Sequence, residues 1–147
     1  MLHGLESEVV KQVLLAFRPR FTPGGRVLWV SKASEPTFTS KRGLRDLGIG
    51  VRQQRDLPNV VIHAPKKDRL FLIDVASLRG PMTRERREAL ADAFQACRVG
   101  LIFVNAFRSR RELKESLGEF PWETVVWFAE EPDHLVHFDG RRLLGPR

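Results

Sequence analysis

Two residues of chemically useful type are set to meet: Asn59, in LPN, and Asp74, at the end of LFLID. The apolar runs VVIHA and LFLIDVA are joined by PKKDR, a charged connection that suits an antiparallel hairpin. Antiparallel pairing brings the start of one strand beside the end of the next. Two carboxylates so placed hold Mg2+, which lowers the pKa of an attacking water and offsets charge on a phosphate. Asn59 is neutral, and its amide oxygen is a weaker ligand than a carboxylate. The pair therefore has a second reading, a strand-entry Asn and an ordinary strand-end acid.

Other candidates are basic. Lys66 and Lys67 lie in the hairpin connection, Arg79 follows the second strand, RERR (Arg84 to Arg87) opens a helix, and Arg110 lies in RSRRELK. Basic residues at a helix start oppose the macrodipole, so Arg84, Arg86 and Arg87 are candidates for phosphate contact as well as for a solvated face. His63, His134 and His137 read as hydrogen-bonded structural residues. Ser77 has no His and Asp in a triad-like arrangement, so nucleophilic catalysis is unsupported.

The elements that must position these residues follow from periodicity. Glu6 to Phe17 has helical spacing, closed by Pro19, and RVLWVS (Arg26 to Ser31) is a buried strand. Ser34 to Ser40 reads as loop, Lys41 to Leu47 as a short helix ended by Gly48, and Gly50 to Arg55 as a brief edge strand. After the hairpin, Gly80-Pro81 breaks the chain and Thr83 caps a helix to Arg98, with Ala89, Leu90, Ala93, Phe94 and Cys97 on one face. GLIFVNAF is a continuous apolar strand. Ser109 and Glu112 form a capping box for a helix closed by Gly118. TVVWFA and HLVHF are strands flanking EEPD, and Trp122 and Trp127 are core or sheet-face aromatics. The order predicts one α/β domain over residues 1–147, a mixed β-sheet flanked by helices.

The chain has 147 residues, 42% of them hydrophobic, enough for one core. One cysteine, Cys97, excludes a disulfide framework and a cysteine-rich zinc site, and points to a reducing compartment. The start of the chain lacks a signal peptide's order and no apolar run is long enough to span a membrane, so the expected setting is cytoplasmic. The net charge is +7. Residues 1–50 hold 8 basic and 4 acidic groups, residues 51–100 hold 10 and 6, and the rest 7 and 8. That excess makes a polyanion the leading class of partner, with a basic surface kept for solubility as the alternative.

LPNVVIHAPKKDRLFLIDVAS followed by GPMTRERR resembles the catalytic core of the BsuBI/PstI type II restriction endonucleases. FTPGGRVLWV, GLIFVNAF, PWETVVWFAEEPDHLVHF and DGRRLLGP fall in the matching order, so the likeness runs from Glu8 to Pro146. It corresponds to the carboxy-terminal half of longer family members and leaves out their amino-terminal helical portion.

The resemblance implies a restriction-endonuclease-like PD-(D/E)xK core and Mg2+-dependent hydrolysis of duplex DNA. It also implies a homodimer on a palindromic site and a functional pairing with a DNA methyltransferase. Pro58-Asn59 matches the family's Pro-Asp, and Asp74 matches its strand-end Glu. Ala76 stands where the wider superfamily has Lys, a residue this family lacks there too. Glu123 is kept, while Val125 replaces a second Glu. In one reading the enzyme works with a substituted ligand set, Asn59 and Asp74 on the metal, helped by Glu8, Asp68 or Glu123, with Lys66 or Lys67 near the water. In another, metal chemistry is lost and the scaffold persists as a DNA-binding or regulatory protein. An introduced Asp-to-Asn change and an RNA-directed role also stay open.

Overall fold

The first helix of this computed structural model continues where proline was expected to end it. The structure describes residues 8–32, 35–49 and 57–138. Residues 8–21 are helical (α1), with a π turn over Val13–Phe17 and a last α turn over Arg18–Phe21. The Arg18 N–H reaches back to the Val13 carbonyl, so Pro19 falls in the first positions of a new turn, where a missing N–H costs little.

Strand β1 (Arg26–Lys32) forms as expected. The loop expected at residues 34–40 is instead strand β2 (Glu35–Thr39). Pairing decides this: β2 lies antiparallel on β1, Trp29 opposite Thr39 and Val30 opposite Phe38, as an edge strand where Pro36 is tolerated. Helix α2 (Lys41–Asp46) is capped by Ser40 Oγ, which accepts the Gly43 N–H. It closes at Gly48, whose φ of 85° needs glycine. The strand expected at Gly50 to Arg55 lies outside the described residues.

The hairpin is present as β3 (Val60–Ala64) and β4 (Arg69–Val75), paired antiparallel. Its second strand stops before Ala76, and Ala76–Arg79 coil into a short helix, α3, that sequence reading missed. Helix α4 (Arg84–Ala93) has Thr83 as its N-cap, but it ends before Arg98, leaving Cys97 in a turn. Strand β5 (Gly100–Phe107) follows. Ser109 precedes α5 (Arg110–Lys114) without a side-chain cap bond, and Gly118 lies inside a 3-10 turn, Leu117–Glu119, rather than closing α5. Strands β6 (Thr124–Phe128) and β7 (Leu135–Phe138) complete the described chain.

Among the described residues the strands form a seven-stranded sheet in the order β2-β1-β3-β4-β5-β6-β7. Pairings β4 with β5 and β5 with β6 are parallel, and the rest are antiparallel. Alternation divides β4 between two cores. Phe71, Ile73 and Val75 pack with the α1 residues Val13 and Phe17, while Leu70 and Leu72 pack with Leu90 and Phe94 of the α4 side. This is a mixed-sheet α/β fold with helices on both faces.

Phe17 joins α1 to the sheet, its ring centroid 6.0 Å from Phe71 and 5.6 Å from Trp127. Phe17→Ala is expected to cost about 3–5 kcal/mol in urea unfolding. A second tie is surface electrostatics: Arg20 Nε donates to Asp133 Oδ1 at 2.7 Å, and this hydrogen bond, with the charge behind it, holds the Asp133 carboxyl below its ordinary range. A depressed acid stabilises the fold above its unfolded pKa and loses that contribution as pH falls through its folded pKa. The stability gap between the natural chain and Asp133→Asn should therefore be steady from about pH 5 to 7 and close below about pH 4.

Candidate active site

Four polar residues lie buried in adjacent strands at one end of the hairpin: Ser31, Asn59, Asp74 and Asn105, each no more than 1% exposed. Asp74 is paired in register with Asn105, and the hairpin register, carried on from Val60 opposite Ile73, sets Asn59 opposite Asp74. Asn59, Asp74 and Asn105 alternate in phase with Val61, Leu72 and Phe103, so all three belong to the face covered by α4. The sheet thus brings the two hairpin residues to one place, as their spacing predicted.

Asn59 is spent on backbone. Its Oδ1 accepts the Val75 N–H at 2.9 Å and its Nδ2 donates to the Ser31 carbonyl at 3.1 Å. The Ser31 N–H donates back to the Asn59 carbonyl at 2.7 Å. An amide carries a donor and an acceptor on one short stem, which is what is needed between a strand-end N–H and a neighbouring C=O. Asn105 does the same for the loop before α4, accepting the Met82 N–H at 3.1 Å and donating to the Met82 carbonyl at 3.4 Å.

Asp74 is held by α4. Arg86 Nε donates to Oδ2 at 2.9 Å and Nη2 to Oδ1 at 3.1 Å, a two-point contact between a side chain 20% exposed and one 1% exposed. Thr83 Oγ1 accepts the Arg86 N–H at 3.1 Å, so the N-cap fixes the turn that aims this guanidinium.

The other candidates fall elsewhere. Lys66 is exposed in the hairpin turn, about 17 Å along β4 from Asp74 at the strand rise per residue, so it does not stand beside the acid as expected. Lys67 shares that turn and donates to the Phe21 carbonyl at 2.8 Å, and Asp68 is there too. Glu8 lies on α1 and accepts from Gln12. Arg84 is exposed with Nε 3.3 Å from Glu88. Arg87 donates to the Glu123 carboxylate at 3.3 Å and lies over the Phe103 ring at 4.6 Å. Glu123 is exposed, in a left-handed turn with φ of 59°. Arg110 pairs with Glu131 at 2.6 Å, away on α5. Arg79 ends α3, and its side chain lies outside the described ones. Trp127 is buried as expected, but Trp122 is 66% exposed, because it precedes the Glu123 turn and the alternation of β6 begins only after it.

A metal ion needs oxygen ligands that do not face a resident cation and are not committed to backbone. Both Asp74 oxygens accept from Arg86 and the Asn59 oxygen accepts from Val75. Among the described residues no group of three His, Cys, Asp or Glu could hold a metal ion. As arranged here, the site does not fit a bound Mg2+.

Sequence reasoning missed the Asp74–Arg86 pair and the bracketing roles of Asn105 and Ser31. The only available signal was a polar residue in an apolar run, Asn105 within GLIFVNAF and Ser31 at the end of VLWVS.

The sequence profile of the BsuBI/PstI restriction endonuclease domain matches residues 1–141. The chain is 38% identical over 144 residues to the type II restriction enzyme BsuBI of Bacillus subtilis, covering 97% of this chain and 46% of that protein. It is 31% identical over 149 residues to the type II restriction enzyme AplI of Arthrospira platensis, covering 96% and 46%. The structure of SdaI restriction endonuclease superposes with a TM-score of 0.86 at 34% identity, over 96% of this chain and 45% of that one. The fold is therefore restriction-endonuclease-like, and the chain spans slightly under half the length of the curated relatives it matches.

Asn59→Asp removes the donor to the Ser31 carbonyl and sets a second buried carboxyl opposite Asp74. It is expected to destabilise the fold by about 1–3 kcal/mol, read from urea unfolding at neutral pH.

Proposed function

This chain belongs to the BsuBI/PstI restriction endonuclease family, and we propose that it acts as a restriction-endonuclease-like nuclease that hydrolyses phosphodiester bonds of duplex DNA. The observation that carries the reading is Asp74. It stands where the resemblance puts the family's strand-end acid, buried at the end of β4, with a guanidinium and an amide-bearing neighbour around it. Buried acids are kept in a sheet at a cost, and such groups concentrate where chemistry is done.

Duplex DNA is the proposed partner. The charge of +7 supports it, as do Arg84, Arg86 and Arg87 along one turn of α4 above the acid. Arg84 is the residue placed to meet a phosphate with least rearrangement, its side chain 80% exposed and, among the described residues, tied only to Glu88 on its own helix. Mg2+ is the proposed cofactor, on the understanding that Asp74 must first be released by Arg86. A homodimer on a palindromic site, a methyltransferase partner and a cytoplasmic setting are proposed in keeping with the family.

A second reading, a DNA-binding protein without catalysis, is favoured by one specific observation: the Asn59 amide is neutral and is held by backbone on both sides, its oxygen by the Val75 N–H and its nitrogen by the Ser31 carbonyl. Plasmid and unmethylated bacterial DNA incubated with the purified chain in Mg2+ or Mn2+ separates the two. The nuclease reading expects cleavage that Asp74→Ala abolishes. Binding without cleavage, indifferent to the divalent cation, would transfer the function to the second reading. In either case Arg84→Ala should weaken binding across sequences alike and lower the salt slope of log K by about 1.

A further inference from the structure

We propose that Arg86 is the resident counter-ion of Asp74 and closes that carboxylate to divalent cations in the DNA-free protein. The inference rests on reading Asp74 as the family's acid, and it deepens that reading by saying what the acid is bound to before substrate arrives. It begins from burial. At 1% exposure, an ionised carboxylate needs a paired positive charge to remain in the sheet. Arg86 supplies it in the form that leaves least room for another partner. The fork of Nε and Nη2 takes both oxygens, at 2.9 and 3.1 Å, where a lysine would take one.

The neighbouring cations are committed to other groups. Arg84 is paired with Glu88, and Arg87 is held by Glu123 and stacked on Phe103. Arg86 is thus the member of the RERR cluster given to the acid. Its position is imposed from two sides. Thr83 accepts the Arg86 N–H, and Asn105 grips both backbone groups of Met82, so the start of α4 is tied to the same strand end that carries Asp74. A cation arriving at Asp74 meets a fixed positive charge and no unengaged oxygen. Closure is therefore a property of the built site, and not of a side chain that happens to lie there.

The test is Mn2+ binding to the DNA-free chain, followed by the loss of the free-ion electron paramagnetic resonance signal. It compares the natural chain, Arg86→Gln, Arg86→Lys, and Arg86→Gln combined with Asp74→Asn. Arg86→Gln should bind Mn2+ about tenfold more tightly than the natural chain, the scale of a single coupled site, and the added Asp74→Asn should remove that gain. Arg86→Lys, which leaves one oxygen open, should fall between them, and it carries the test if Arg86→Gln does not fold. Equal affinity of the natural chain and whichever Arg86 variant folds would overturn the closure. So would a gain that survives Asp74→Asn. The nuclease reading fails separately: Arg86→Gln that gains Mn2+ while the natural chain never cuts DNA leaves closure standing and sinks catalysis. Cleavage by a natural chain that already binds Mn2+ as tightly as Arg86→Gln does the reverse.

Discussion

A carboxylate buried in the middle of a sheet imposes the constraint on which the rest of this site depends. Asp74 cannot be left charged and alone at the end of β4, and Arg86 is its answer. The guanidinium reaches it because α4 starts where it does, and α4 starts there because Thr83 caps its first turn and Asn105 fixes Met82 just before it. Asn59, on the other side, ties the end of β4 to the start of β3 and to β1. Removing one partner from a buried pair of this kind commonly costs about 3–5 kcal/mol, which is a large part of a domain's stability. The residues around the acid thus serve the fold and the site at once.

That double duty bears on how Asn59 is understood. Judged as a metal ligand, it offers a neutral amide oxygen, weaker than a carboxylate. Judged by its contacts, it is a bracket with donor and acceptor each matched to a backbone group, a task a carboxylate performs poorly. Asn59 therefore has a structural rationale of its own, and replacing it by aspartate meets resistance from the Ser31 carbonyl and from Asp74.

Much of this was legible in the sequence, and the failures have physical causes. The hairpin, GLIFVNAF and the Thr83 cap were readable because apolar runs and turn chemistry are local signals. The meeting of Asn59 with Asp74 followed from antiparallel register alone. Strand β2 was hidden because EPTFT gains its strand character from pairing with β1. Pro19 misled because a π turn rearranged the helix ahead of it. Lys66 was read as standing near the attacking water, but a hairpin turn and a hairpin's open end are the two places its strands keep furthest apart. The Arg86 contact joins strand to helix through tertiary packing, and nothing in the spacing of RERR says which of its arginines faces inward. Trp122 was read as a core or sheet-face aromatic, whereas it lies before the Glu123 turn, outside β6, and is exposed.

The central claim is that Asp74 belongs to Arg86 until something displaces it. Anomalous diffraction from crystals of the DNA-free chain grown with Mn2+ tests this most directly. The account predicts no manganese peak at the Asp74 carboxylate, with the Arg86 guanidinium within hydrogen-bond distance of both oxygens. A manganese peak on Asp74 with Arg86 turned away would contradict it.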